Sequence, residues 1–432
     1  MPPFPGPVSR PTPLQPRELW SELLADLGAQ SNLLLVQDLD GVCMDLVLDP
    51  LQRQLPRHYV LAARQLDGCF SVLTNGEHDS QRGVNRLVEQ ALGPEVDPAE
   101  AGLYLPGLAA GGVQLQDRFG SISTPGVLAV ELAFLAALPD RLREALRAWL
   151  PQILPWLDGH ALERQVALAV QDNPLSPTLN LHGLFACCAS HDNDDRQLAA
   201  ALQEGGLAVM RQLLADAECS GLGECFFVHL APNVVADDGS EQPVTASAEG
   251  IGTTDMQFLL RGAIKEAGLL VLLNEHIARH HGSHPLGTDF HVRTAPRGHA
   301  ELVALAEGHI PPELMPRLVG IGDTITSCPG TAQGQWRRGG SDRGFLTLVQ
   351  ELGRRFDRPN RVVLVDSSGG EVQRPSLASG DLAGLSDPED PLQLDALFPG
   401  GPTQYRAFFC ELADAVRHKT SGPGTQVPWG QP

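Results

Sequence analysis

Short apolar runs alternate with longer amphipathic segments along most of the 432-residue chain. Continuous apolar runs of this kind are typical of parallel strands that are covered on both faces, whereas apolar residues repeated every three to four positions predict helices. The alternation predicts an α/β fold with a doubly wound, parallel, Rossmann-like sheet. The predicted strands are 33–36, 69–73, 103–108, 318–322 and 361–366. A predicted helix at 17–27 precedes the first strand, and the helices predicted between the first three strands are 55–66 and 81–92.

The segment between residues 125 and 250 has a different pattern, because helical segments at 127–138, 142–150 and 198–214 alternate with strand-like runs at 165–170 and 225–230. We interpret it as an α+β cap domain inserted into the core, which resumes near 252 with a long predicted helix at 254–276. The predicted division is a disordered proline-rich lead at 1–16, a first core segment at 17–123, the insert at 124–250, a second core segment at 251–420 and a flexible tail at 421–432.

Composition narrows the classes of function. The formal net charge of -21 argues against general binding to nucleic acid or to anionic membranes, both of which require a basic surface. The eight cysteines show no Cys-x-x-Cys spacing, and no apolar stretch approaches the length of a membrane span of about 20 residues. We therefore expect a cytoplasmic protein with reduced thiols and without a nucleic-acid or membrane partner.

The first predicted strand ends in two carboxylates, Asp38 and Asp40, followed by Gly41. Residues two apart in extended backbone point to the same side, and open α/β sheets place their active sites at the carboxyl ends of such strands. One carboxylate can attack a phosphorus atom while the other transfers a proton, and a divalent cation would reduce their repulsion. On these residues alone, a turn or a helix cap is the alternative.

Two further predicted strands end in polar residues. Thr74 follows the second strand, and its hydroxyl could donate a hydrogen bond to a phosphoryl oxygen. Asp323 follows the strand at 318–322 and could complete an oxygen-rich magnesium shell. Either residue could instead simply close a turn.

Basic residues and histidines offer further candidates. Lysine occurs only at positions 265 and 419, and Lys265 lies one turn from Arg261 in the predicted helix, so either could be an active-site cation or a solvated side chain. Four histidines between 276 and 284 suggest zinc, but no carboxylate or cysteine completes a familiar spacing, and a polar helix end is favoured. Further candidates for substrate contact are His182, His191 and Arg337.

The order of these motifs resembles that of the haloacid-dehalogenase superfamily of phosphohydrolases, in which α+β caps are inserted between the second and third motifs. The motif residues here are Asp38, Asp40, Thr74, a lysine after the insert and Gly322-Asp323. Within that superfamily, the segments VQDLDGVCMDLV, LTNGE, TTDMQFLLRGAIKEAGLL and GIGDTITS are similar to the cyanobacterial glucosylglycerol-phosphate phosphatases. The similarity covers roughly residues 18–415.

The resemblance implies a role for each motif residue. Asp38 would be the nucleophile that forms an aspartyl-phosphate, and Asp40 would protonate the leaving oxygen and later deprotonate the hydrolytic water. Asp38, the backbone carbonyl of Asp40 and Asp323 would hold Mg²⁺. Thr74 and Lys265 would bind the phosphoryl oxygens and neutralise their charge. Further substrate-binding candidates are Asn75, Gly76, Arg261 and His182.

The sequence departs from the superfamily pattern in two respects. No second acid lies three or four residues after Asp323, so water or hydroxyls would complete the metal shell. Lys265 lies farther before Gly322 than is usual in the superfamily, which leaves Arg261 or Arg297 as substitutes.

The implied function is Mg²⁺-dependent hydrolysis of glucosylglycerol 3-phosphate to glucosylglycerol and phosphate, in compatible-solute synthesis for salt acclimation. The synthase that makes the phosphate ester is a candidate partner. A sucrose- or trehalose-phosphate phosphatase is the alternative within the superfamily. More distant alternatives are a metal-dependent glycosyltransferase and a non-catalytic partner of the synthase. A non-catalytic protein would not need Asp38 and Asp40, and the presence of both argues against that alternative.

Overall fold

The computed structural model describes residues 16–189, 195–236, 240–246, 251–330 and 334–420. Residues 1–15 of the predicted lead, His191 and the predicted tail lie outside these ranges. No helix in the described part of the chain is long and apolar enough to cross a bilayer.

The strands and the α-helices of the described residues are numbered separately, in chain order. The strands are β1 Leu33–Gln37, β2 Phe70–Leu73, β3 Gly107–Ala109, β4 Gln114–Gln116, β5 Ile122–Ser123, β6 Val170–Gln171, β7 Thr178–Asn180, β8 Phe226–Ala231, β9 Asn233–Val235, β10 Glu241–Pro243, β11 Asp255–Leu260, β12 Arg317–Gly322, β13 Thr326–Pro329, β14 Trp336–Gly339, β15 Arg361–Val365 and β16 Ala396–Phe398. The helices are α1 Pro16–Gly28, α2 Arg57–Gln65, α3 Val84–Leu92, α4 Pro98–Ala101, α5 Ala129–Ile153, α6 Gly159–Ala169, α7 His182–Ala189, α8 Asp195–Cys219, α9 Lys265–His281, α10 His299–His309, α11 Arg343–Arg355 and α12 Gly401–Thr420.

The larger sheet has the order β16-β15-β12-β1-β2-β3-β4-β5, in which β16 to β3 are parallel and β4 and β5 form an antiparallel extension. All five residues of β1 are buried, and its four apolar residues alternate between two apolar clusters, one on each face of the sheet. The predicted doubly wound α/β core is therefore confirmed. Because β1 lies between β12 and β2, the strand order reverses there, which is where open α/β sheets bind ligands.

The insert folds around a second, antiparallel sheet with the order β6-β7-β11-β8. Helices α5 and α6 precede β6, and α7 and α8 lie between β7 and β8. The prediction of an inserted α+β cap is thereby confirmed. We refer to this four-stranded sheet as the cap sheet.

One predicted strand is wrong, and two further predicted elements are only partly confirmed. The predicted strand 165–170 belongs mainly to α6, which is capped by the Asp158 side chain accepting from the backbone of His160 and Ala161. The predicted helix 254–276 is β11 followed by α9, and the chain breaks at Gly262, whose φ is +95°. The predicted strand 103–108 is shorter, because β3 begins only at Gly107.

The domain limits stay predictions. However, β11 lies beyond the predicted end of the insert at 250 and pairs with both β7 and β8. This pairing argues for placing the end of the cap near residue 260, immediately before α9.

Candidate active site

Two adjacent parallel strands, β1 and β12, end at the candidate site. Gln37 pairs with Ile321, and the backbone N–H of Asp38 donates to the carbonyl of Ile321 at 2.9 Å. Asp323 approaches Gly41, whose φ is +75°, and a Cβ at Gly41 would lie 2.1 Å from Asp323 Oδ2. Gly41 therefore allows the two strand ends to converge.

The Asp38 carboxylate is buried and bound on both oxygens. Oδ1 accepts from the backbone N–H of Leu39 at 2.7 Å, and Oδ2 accepts from Lys265 Nζ at 2.6 Å. Burial raises the pKa of Asp38 to about 7, the charge of Asp342 contributes in the same direction, and Lys265 opposes the shift. The ionised form of Asp38 therefore depends on a nearby positive charge.

Lys265 supplies that charge from the first residue of α9. Its Nζ also donates to Asp342 Oδ1 at 2.7 Å, so the buried ammonium bridges two carboxylates. Burial alone would lower its pKa, but the charges of Asp342 and Asp38 outweigh burial and raise it. Lys265 is consequently held in its charged form.

Asp342 is a site residue that the sequence did not reveal. It is fully buried just before α11, and its Oδ2 accepts from the backbone N–H groups of Asp323 and Thr324 at 2.9 and 3.0 Å. The superfamily pattern has a second acid three or four residues after the position of Asp323. Here Asp342, 19 residues after Asp323, supplies an acid at this place, because the β13-β14 hairpin returns the chain to the sheet edge. No local spacing signals this return.

Asp38, Asp323 and Asp342 are the metal-binding candidate cluster among the described residues, since one oxygen from each lies within 4.8 Å of the others. Oδ2 of Asp323 is buried and has no hydrogen-bond partner among the described residues. Burial, together with the charges of Asp342 and Asp38, raises the pKa of Asp323 well above its usual range. An oxygen in this condition fits a hard divalent cation. Both oxygens of Asp342 already accept from protein donors, so its observed contacts orient Lys265 and the β12 end.

Asp40 lies at the outer side of the cluster and is less buried than Asp38. Its carboxylate forms a two-point ion pair with Arg53, in which Nη1 contacts Oδ2 at 2.7 Å and Oδ1 at 3.0 Å. Arg53 also donates to the carbonyls of Pro50 and Arg82. Sequence reasoning missed Arg53, which lies in an irregular segment after a 3₁₀ turn and carries no motif signal.

The Thr74 loop closes the site on the side of β2. Thr74 is buried, its Oγ1 accepts from the backbone N–H of Gly76 at 3.3 Å, and Asn75 and Gly76 are half-buried. A Cβ on Gly76 would lie 4.0 Å from Arg53 Nη1, which places this loop beside the Asp40 ion pair.

The next residue, Glu77, connects this loop to the cap. Its buried Oε1 accepts from the backbone N–H of Leu175 at 2.7 Å and from the N–H and Oγ of Ser176, both at 2.9 Å. These three hydrogen bonds fix the segment that leads into β7. The carboxylate of Glu77 therefore joins the Thr74 loop to the cap.

The family model described as glucosylglycerol-phosphate phosphatase matches residues 32–413. The chain belongs to the glucosylglycerol-phosphate phosphatase family. A curated relative of that name from Synechocystis sp. is 45% identical over 403 residues, which are 90% of this chain and 94% of the relative. The family resemblance predicted from the motifs is thereby confirmed.

Two solved structures resemble this member of the glucosylglycerol-phosphate phosphatase family at low identity. The C-terminal domain of Candida albicans trehalose-6-phosphate phosphatase is 12% identical with a TM-score of 0.43, and the alignment covers 94% of this chain and 99% of that one. The trehalose-6-phosphate phosphatase of Aspergillus fumigatus is 11% identical with a TM-score of 0.36, covering 94% and 100%. We draw no functional conclusion from similarities at this level.

The structure brings Asp38, Lys265 and Asp323 together and places Asp40 and the Thr74 loop beside them. It does not bring Arg261 into this cluster, because Arg261 pairs with Glu224. The other proposed substitute, Arg297, is exposed.

The remaining histidine and arginine candidates have other neighbours among the described residues. His182 lies in the cap, where its Nε2 is 3.4 Å from Asp255 Oδ2, and Arg337 lies in β14. The histidines near 280 contact protein groups, such as His276 with Asn32 Oδ1 at 2.8 Å.

We expect Glu77→Gln to flatten the pH dependence of stability. Burial raises the pKa of Glu77 from 4.5 to about 7, so the folded state holds this proton more tightly than the unfolded state. The associated stabilisation is fully present below about pH 4.5 and is lost as the pH rises through 7. Relative to the variant, the wild type should lose about 3 kcal/mol between these limits in urea unfolding. The exposed Glu95→Gln is the matched control, and parallel curves for wild type and Glu77→Gln would contradict the prediction.

Proposed function

We propose that this protein is a Mg²⁺-dependent phosphatase that hydrolyses glucosylglycerol 3-phosphate to glucosylglycerol and phosphate. The proposal rests on one observation above all, the buried arrangement of Asp38, Lys265, Asp342 and Asp323 at the ends of two adjacent parallel strands. Membership of the glucosylglycerol-phosphate phosphatase family supports the choice of substrate.

Asp38 acts as the nucleophile in this proposal. One carboxylate oxygen forms a bond to phosphorus while the bond between phosphorus and the leaving oxygen breaks, which gives an aspartyl-phosphate and the free sugar alcohol. Water then attacks the same phosphorus, and the Asp38 carboxylate leaves. The N–H of Leu39 and Lys265 orient the carboxylate before attack.

Asp40 transfers the protons in both steps. It gives a proton to the leaving oxygen and later takes one from the attacking water. The two contacts from Arg53 hold its carboxylate at the mouth of the site, and its greater exposure suits exchange with solvent and with the leaving group.

The phosphoryl oxygens are bound by the Thr74 loop and by Lys265. The Thr74 hydroxyl and the backbone of Asn75 and Gly76 supply donors, while the ammonium neutralises the charge of the transferring group. Asp38, Asp323 and the backbone carbonyl of Asp40 are the proposed ligands of Mg²⁺, which would supply further positive charge beside the phosphoryl group. Asp342 keeps Lys265 and the β12 end in position.

We further propose that the reaction is a step of compatible-solute synthesis during salt acclimation. In this proposal the protein is cytoplasmic and forms a complex with the synthase. The high negative charge of the chain is compatible with a cytoplasm of high ionic strength.

Phosphate release tests the proposed function. We expect the wild type to release phosphate from glucosylglycerol 3-phosphate with a kcat/KM at least about tenfold higher than from sucrose 6-phosphate or trehalose 6-phosphate. EDTA should abolish the release, and added Mg²⁺ should restore it. In thermal unfolding, Mg²⁺ should also raise the Tm, because it relieves the repulsion between buried carboxylates. Preference for another sugar phosphate, or full activity in EDTA, would refute the substrate or the metal assignment respectively.

A further inference from the structure

The two faces of the cap sheet differ in chemistry. Directly opposed residues of antiparallel strands share a face, and one row across the four strands is apolar. A Cβ at Gly206 of α8 would lie 3.1 Å from Leu179 Cδ2 and 3.3 Å from Met256 Sδ, so the cap helix packs on this row. The row consists of Val170, Leu179, Met256 and Leu230.

The opposite face is polar in the next row across all four strands. Three of its four members are buried, and the fourth, on β11, is half-buried. A second polar pair follows on β7 and β11, in which Asn180 Nδ2 donates to Asp255 Oδ1 at 2.7 Å. The first row consists of Gln171, Thr178, Gln257 and His229.

Three atoms on or beside this face are buried without a hydrogen-bond partner among the described residues. They are Oε1 of Gln257, Nε2 of His229 and Nδ1 of His182. Burying such atoms unpaired costs free energy, and native proteins rarely leave several together. Since the other ring nitrogen of His229 already contacts Glu241 Oε1 at 2.8 Å, its orientation is fixed.

The cap sheet contacts the candidate active site at two places. Ser176, two residues before Thr178, donates to Glu77 next to the Thr74 loop. Asn233, two residues after β8, accepts from the backbone N–H of Gly340 at 2.8 Å, two residues before Asp342. The strands that carry Thr178 and His229 are therefore both held against segments of the site.

We infer that the polar face of the cap sheet binds the hydroxyl groups of an uncharged, polyhydroxylated leaving group. Gln257 and His229 determine the preference for such a group, and His182 extends the surface. Sugar and glycerol hydroxyls both donate and accept, so they can pair with an amide oxygen and with imidazole nitrogens. This inference rests on the proposed function, since it names the part of the molecule that holds the alcohol released at Asp38.

Two variants remove the unpaired atoms with little disturbance. Gln257→Met keeps the length of the side chain and removes an oxygen that has no partner among the described residues. His229→Asn keeps a donor near the position of Nδ1, where Glu241 is bound, and removes Nε2. The control is Gln212→Met, which changes an exposed residue of α8 in the same domain.

The variants are compared on glucosylglycerol 3-phosphate and on phenyl phosphate, whose leaving group has no sugar hydroxyls. We expect each cap-sheet variant to lower kcat/KM for the sugar ester about tenfold and to leave that for phenyl phosphate within about twofold. Calorimetric binding of free glucosylglycerol should weaken by a similar factor. The Gln212→Met protein should match the wild type in all three measurements.

The outcomes separate this inference from the proposed function. Equal losses on both esters, or no loss on either, would overturn the inference while leaving the phosphatase in place. A wild type that releases no phosphate from any ester would overturn the proposed function. In that case the calorimetric binding of free glucosylglycerol still tests the inference. Wild-type affinity in both cap-sheet variants would overturn it as well.

Discussion

Asp38→Asn is expected to lower kcat for phosphate release at least about 10⁴-fold, because an amide cannot supply the proposed attacking oxygen. The fold should persist, since the asparagine can still accept from the Leu39 N–H and Lys265 still has Asp342 as a partner. Steady-state phosphate release and far-ultraviolet circular dichroism measure the two effects.

Asp45→Asn provides the matched control for this change. Asp45 is an exposed acid seven residues farther along the same segment, and its variant should retain wild-type activity. Activity of Asp38→Asn within about tenfold of the wild type would exclude Asp38 as the nucleophile.

Lys265→Met is expected to lower kcat/KM at least about 10³-fold and to lower the free energy of unfolding by about 3–5 kcal/mol. Both effects follow from the same contacts, because the variant leaves the buried carboxylates of Asp38 and Asp342 without their cation. Urea unfolding and phosphate release on the purified protein check them separately.

A second variant distinguishes loss of charge balance from loss of fold. Lys265→Met/Asp342→Asn removes one of the unpaired charges, so it should recover about 1–2 kcal/mol while remaining inactive. Arg261→Met should be nearly neutral, because Arg261 pairs with an exposed glutamate outside the cluster. The assignment of Lys265 would fail if Arg261→Met lost activity and Lys265→Met did not.

The residues that end strands could be predicted from the sequence. Each of Asp38, Thr74 and Asp323 follows an apolar run, and the carboxyl ends of parallel strands share one sheet edge, so local pattern and topology gave the same answer. The sequence also indicates Lys265 as a candidate cation, but within a predicted helix, 254–276, that begins too early. Its true position, at the first residue of α9, brings it into contact with Asp38.

Residues that reach the site through tertiary structure could not be predicted. Asp342 returns through a hairpin, and Arg53 reaches Asp40 from an irregular segment. Neither position has a spacing that would distinguish it from a surface side chain. Long-range packing, not local propensity, brings them to the sheet edge.

The missed strand β11 shows how two signals can merge. Asp255 and Gln257 alternate with Met256 and Phe258, which is a strand pattern, but the apolar residues continue into α9 and mimic one long helix. The break at Gly262 was the available signal. A break at this glycine places the end of the cap after β11 and makes Gln257 a residue of the cap sheet.

The short connection between β11 and α9 has a mechanical consequence. Four residues, 261–264, separate the cap sheet from Lys265, and a chain of that length spans at most about 14 Å. A displacement of the cap sheet beyond this reach would therefore shift the first turn of α9, where Lys265 contacts Asp38. The position of the ammonium at the carboxylate is thus tied to the position of the cap sheet.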